Sequence, residues 1–149
     1  MSEATTFQKA NYPLPVYNFR VTVGDTTVSF SEVSGITLEY EIVTYKHGLS
    51  FWEGEGYKKY YYNKYVPVTL KKGTVKGTNI FSEWIQEKEN SSRSMDISLC
   101  DETGTPLVSW KIGVAIPVKL QAPTFDANSN DVAIESLELM AAKISVVHH

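Results

Sequence analysis

Cysteine is nearly missing from this chain. Cys100 is the only one in 149 residues, so no disulfide can form within it and a disulfide-stapled secreted fold is excluded. Histidine is scarce as well: His47 is the only internal one, and His148 and His149 close the chain. A metal site needs three or four suitable ligands, and one internal His with one Cys does not suggest zinc. A Cys100–His47 nucleophile pair has no flanking signature, and Cys100 continues a strand, where a free Cys behaves as a small buried hydrophobe. No apolar run approaches the ~20 residues of a membrane span. Residues 1–10 carry neither a basic start nor an apolar stretch, so no signal peptide is expected and the chain is expected to be assembled in the cytoplasm. Charge of one sign is lacking too. Seventeen acidic against 14 basic residues give a net charge of -3, which argues against nucleic-acid binding by bulk electrostatics and leaves a local basic patch open.

What remains is ordinary globular material, 42% hydrophobic and 21% charged. It fits a single domain over residues 1–149 with a real core. Residues 1–16 read as an extended arm, punctuated by Pro13 and Pro15. Tyr17 to Val23 alternate apolar and polar with period two, Gly24-Asp25 turns, and Val28 with Phe30 carries a returning strand that Gly35 ends. Ile36, Leu38, Tyr40 and Ile42 alternate with Thr37, Glu39 and Glu41, the clearest strand pattern in the chain, with one core face and one wet face. From Lys46 to Tyr65 no period holds, so residues 46–65 read as a long loop or irregular hairpin of the kind that is functional or ordered by a partner. Val66, Val68 and Leu70 resume the alternation, with Pro67 marking an edge or a strand start. Asn79 is a good N-cap for a helix over about residues 80–88, whose stripe is Ile80, Phe81, Trp84 and Ile85. Met95, Ile97 and Leu99 form one more strand and Val108, Trp110, Ile112 and Val114 another. Pro117 and Pro123 then bracket an extended stretch. Residues 132–147 fit either a strand or one helix face, and periodicity does not decide between them. The count is about seven strands and one short helix, a mainly β sandwich or barrel.

Motifs for chemistry are weak. Residues 126–131 resemble the start of a calcium loop, but the sixth and twelfth positions hold Asp131 and Leu137 instead of Gly and Glu, so a polar turn is the better reading. Lys71-Lys72-Gly73-Thr74 has the wrong order for a phosphate loop. No catalytic constellation emerges and no cofactor is expected. One feature is unusual. Tyr57, Tyr60, Tyr61, Tyr62 and Tyr65 are interleaved with Lys58, Lys59 and Lys64, just after Phe51 and Trp52. Such a cluster can stack bases or sugars, anchor a protein interface, or pack on its own core.

The ordered set of short motifs resembles the tail tube proteins of contractile phages and related injection systems. It comprises Phe30-Ser31-Glu32-Val33-Ser34-Gly35 with Leu38-Glu39-Tyr40-Glu41, then Tyr45-Lys46-His47-Gly48, then Thr69-Leu70-Lys71-Lys72-Gly73 and the helix around Trp84. Asp96-Ile97-Ser98-Leu99, Val108-Ser109-Trp110-Lys111, Ile116-Pro117-Val118-Lys119 and the run from Asn130 to Leu139 follow in the same order. The likeness spans about residues 12–147 and looks most similar to the inner tube of extracellular particles of the antifeeding-prophage type. It departs where family members carry a Pro-Gly element, which Gly54-Glu55-Gly56 replaces here. That leaves open both the repeated tube subunit and a paralog joining tube to baseplate.

The resemblance implies a barrel-like protomer that closes into hexameric rings, with the rings stacked as a hollow tube in a contractile sheath. Residues 132–147 are then a strand. It implies partners: further copies of the chain or tube paralogs, sheath and baseplate proteins, and protein or DNA passing through the lumen. On this reading Thr37, Glu39 and Glu41 are candidate lumen-facing residues, the two Glu lending negative potential to the bore. Phe51, Trp52, Tyr57, Tyr60, Tyr61, Tyr62 and Tyr65 are candidate subunit-interface residues. The competing reading is a monomeric β-sandwich module that binds glycan or another ligand through the aromatic loop.

Overall fold

Period-two patterning sets most of the architecture. The structure is a computed structural model that describes residues 13–45, 56–60, 64–77, 80–89 and 91–149, with the backbone alone for 41–45 and 56–60. Its elements in chain order are β1 (Phe19–Val23), β2 (Thr26–Val28), β3 (Glu32–Ser34), β4 (Glu41–Tyr45), β5 (Gly56–Tyr60), β6 (Val66–Gly73), α1 (Ile80–Gln86), β7 (Arg93–Cys100), β8 (Pro106–Gln121) and β9 (Ile134–His148). Seven strands form one antiparallel sheet in the order β2-β1-β7-β8-β9-β6-β3, while β4 and β5 pair only with each other. The ambiguous C-terminal segment is a strand, because β8 and β6 flank it and bury Leu137, Leu139 and Ala141.

Chain connectivity rolls this sheet up. β2 and β3 are its two edges, and six strand spacings would hold them about 29 Å apart if it lay flat. Yet Val28 and Glu32 are only four residues apart, which spans at most about 14 Å. The sheet must therefore curl into an open barrel. The single returning strand expected over Val28 and Phe30 is in fact two strands on opposite edges. The turn between them drives the Phe30 ring onto Phe81, with centroids 5.5 Å apart.

The core inside the roll includes Val21, Val68, Leu70, Ala115, Leu137 and Leu139, with Phe81 and Trp84 from the helix. Phe81 and Trp84 are three residues apart and so share a face, and truncating either would cost about 3–5 kcal/mol. The Trp84 indole N–H donates to the Ser91 carbonyl. Arg93 lies over the Trp84 ring at 5.2 Å and pairs with Glu87. These contacts end the helix two residues before the expected 88. Asn79 lies outside the described residues.

Three local devices shape the roll. Gly113 stands across from Lys143, whose φ of 57° is left-handed, and a Cβ on Gly113 would lie 3.0 Å from Lys143 Cβ. Inward residues run through Ile112 on one side of this point and Ala115 on the other, so β8 changes phase there and the long β8–β9 hairpin bends. Further on, Pro117 has no N–H to give, and the ladder shifts register between Pro117 and Lys119, as proline does at a bulge. The β7–β8 turn is built on Asp101. Its carboxylate accepts the Thr103 hydroxyl at 2.7 Å and the N–H groups of Thr105 and Thr103, and these bonds hold its pKa below the ordinary value.

Lys72 is 3% exposed because its ammonium finds every partner it needs indoors. Glu135 lies 2.8 Å away, the Gly73 carbonyl accepts at 3.3 Å, and the Phe81 ring sits 5.4 Å beneath. Removing one partner strands a charge, whereas replacing both with apolar groups need not. Lys72→Met should therefore cost about 2–3 kcal/mol in urea unfolding, and Lys72→Met with Glu135→Leu distinctly less.

The expected strand over 36–42 is displaced. No strand runs through 35–40, and β4 begins only at Glu41. The cause is Gly35, at φ 93°, where an added Cβ would meet the Pro67 carbonyl oxygen at 2.6 Å. The chain turns away from the sheet at that close approach. Gly35→Ala should cost about 2 kcal/mol or more by thermal or urea unfolding. Gly24→Ala, at φ 59° with open space around it, should cost only the conformational part, about 1 kcal/mol.

Candidate assembly surfaces

Backbone groups without partners are the most informative part of the surface. β8 pairs with β9 along almost its whole length. β7, however, reaches only as far as Ala115 on β8, and β6 only as far as Ala141 on β9. Among the described residues, 116–121 therefore have no strand on their β7 side, and 142–148 none on their β6 side. The two half-edges lie on opposite sides of one hairpin and at opposite ends of it. Unpaired N–H and C=O groups of this kind recruit another chain unless something blunts them.

A second partly exposed element follows β3. Ile36 still packs against the core, but Leu38 and Tyr40 are 43% and 40% exposed. The alternation that promised a buried face is present, but among the described residues that face is only partly covered. Among the described residues, the β4–β5 pair that follows makes no ladder with the main sheet.

The sequence candidates distribute as follows. Thr37 is exposed, and its hydroxyl donates to the Gly35 carbonyl at 3.1 Å. Glu39 pairs with Lys64 at 3.1 Å, both about half exposed, which offsets the negative potential expected from it. Glu41 stands opposite Tyr60, and Tyr57 opposite Thr44, in the β4–β5 register. A candidate for the lumen and one for the interface thus share one hairpin. Tyr65 is 46% exposed just before β6. Phe51, Trp52, Tyr61 and Tyr62 lie outside the described residues. Residues 126–131 form a turn in which Asp126 accepts the Asn128 N–H at 3.0 Å and Ser129 the Asp131 N–H at 3.1 Å. Phe125 beside it is 86% exposed. Sequence reasoning missed the half-edges. Their signal was length: β8 and β9 span 16 and 15 residues against eight for β6 and β7, so they cannot be paired throughout.

Residues 15–145 match the family model for the T4-like virus tail tube protein gp19. No curated protein matches the chain. A chain in the cryo-EM structure of the extended PVC sheath–tube complex, an extracellular contractile injection system, is 32% identical. That match covers 99% of this chain and 100% of the other, with a TM-score of 0.81. A chain in the cryo-EM structure of the anti-feeding prophage tube-terminating cap is 33% identical, with 93% of each chain covered and a TM-score of 0.78. Hcp1 from Flavobacterium johnsoniae shares the fold, at 17% identity, 89% and 97% coverage and a TM-score of 0.56. With the match running nearly end to end, the chain belongs to the T4-like virus tail tube protein family, a structural family and not an enzyme family, and is a structural tube subunit.

Proposed function

We propose that copies of this chain close head to tail into hexameric rings, and that the rings stack into a hollow tube within a contractile, phage tail-like particle. Its partners are then further copies or tube paralogs, a surrounding sheath and a baseplate, with assembly in the cytoplasm. The whole of 1–149 acts as one tube domain, with 1–16 as an arm. The observation that carries this reading is the pair of half-edges. A ring needs a heterologous contact that closes by rotation, and a hairpin open at 116–121 on one side and 142–148 on the other is complementary to its own copy. The offset along the strands suits strands tilted to the ring axis, as closed barrels require. The family match lends no support to the alternative of a monomeric glycan-binding module. Thr37, Glu39 and Glu41 are proposed to face the bore, and the aromatic residues of 51–65 to contact neighbouring subunits.

Two measurements test this. Chains carrying one Cys within 116–121 and one within 143–147, scanned in pairs and oxidised after assembly, should give a covalent ladder ending at six subunits. A scan that yields no ladder in any register removes the strand-pairing ring. Replacing Tyr60, Tyr61 and Tyr62 together with Ser should impair ring stacking in negative-stain images while changing the melting temperature little. Normal tubes from that variant would show that the aromatic run is not the stacking contact.

A further inference from the structure

Across β3, β6, β9 and β8, the registers align three rows of residues. Glu32, Lys71, Ser136 and Gln121 form one row, and Ser34, Thr69, Glu138 and Lys119 another. Between them runs Val33, Leu70, Leu137 and Leu120, which belongs to or packs on the core. The two flanking rows therefore look away from the core, and every one of their side chains is polar. A groove of about 390 Å³ runs along them, lined by Thr69, Lys71, Lys119, Gln121, Ser136 and Glu138 among others.

Charge on this face cancels locally. Lys71 meets Glu32 at 3.1 Å, and Lys119 stands opposite Glu138 in the ladder. Beyond Gly35, Thr37 and Glu39 continue the exposed side, and Glu39 meets Lys64 at 3.1 Å. Subunits pack through apolar and aromatic anchors, and charged residues are depleted at the centre of such contacts. These two rows carry no such anchor. Nucleic acid is held by cations free to displace its counterions; here Lys71 is ion-paired with Glu32 and Lys119 has an acid, Glu138, as its ladder partner. The face nevertheless lies on β8 and β9, the strands whose open halves would join copies around a ring.

We propose that these two rows, with Thr37 and Glu39, form the wall of the bore, and that their charges are cancelled within each protomer so that the wall fits a hydrated polypeptide of mixed charge in transit. This rests on the tube reading above. Both Glu39 and Glu32 then add polarity to the bore without adding net negative charge. A wall with little net charge exerts little long-range pull on a charged segment, so passage along it should depend only weakly on ionic strength.

The test uses assembled tubes of Thr69→Cys and of Ser136→Cys, with the parent chain and its buried Cys100 as the blank. Free protomers should react with both N-ethylmaleimide and maleimide-coated gold particles wider than the tube. In tubes, N-ethylmaleimide labelling should persist and gold labelling should be lost. Persistent gold labelling would put the face on the outside, and loss of both would put it in a subunit contact; either overturns the assignment while leaving the tube standing. Parent tubes should retain no short single-stranded DNA probe at physiological salt. Glu32→Gln with Glu138→Gln, which removes the ion-pair partner of Lys71 and the acid opposite Lys119, should retain it in a salt-sensitive way. Retention by parent tubes, or none by the double variant, overturns the charge cancellation. Absence of tubes from every variant and the parent would instead remove the ring proposal, and the bore with it.

Discussion

The structure depends on one requirement: every backbone N–H and C=O taken from water must be paired. Within the roll the requirement is met strand by strand, from β2 round to β3. Among the described residues, the outer halves of β8 and β9 have no strand partner on one side and leave that side's backbone groups to water. In a monomer these would be liabilities of the kind that natural sheets shorten, charge or cover. Here the main sheet's two end strands are indeed short, three residues each, so its formal edges are blunted. The open stretches lie in the middle of the sheet, on its two longest strands. That placement sets them apart from the blunted outer edges: the two stretches are offset along one hairpin.

Much of the fold was legible because the forces behind it are local. Alternation at Val66, Val68 and Leu70 and at Met95, Ile97 and Leu99 reports which side chains meet the core, and the structure buries most of them. The stripe of Phe81 and Trp84 likewise fixes the helix. Residues 36–42 were harder. Their alternation is real, but a pattern cannot say where the second surface comes from, and Leu38 and Tyr40 stay substantially exposed within the chain. Residues 132–147 failed for the opposite reason. Ala141 and Ala142 are both buried because the strand changes phase beside Lys143, and a broken period of two imitates a helical one. The family resemblance resolved that segment where periodicity could not.

The candidate site was legible in kind more than in place. A Tyr- and Lys-rich stretch in a chain with few reactive side chains argued for contact instead of catalysis; the family is a structural one, while most of that stretch lies outside the described residues. The half-edges escaped notice because pairing is a relation between segments far apart in sequence. Only the lengths of β8 and β9 hinted at it. The ion pairs that quiet Glu32 and Glu39 were hidden for the same reason, since Lys71 and Lys64 lie well downstream.

The short link from Val28 to Glu32 has a mechanical consequence. It joins the first and last strands of the roll by a tether of about 14 Å when fully stretched, less than three strand widths. A protomer wall tied in this way can flex but cannot flatten. Six such protomers sharing load around a circle would keep an almost constant circumference, because widening the circle would require each unit to unroll against its own tether. In the proposed ring, three residues, Ser29, Phe30 and Ser31, would supply that hoop stiffness at the scale of the single chain.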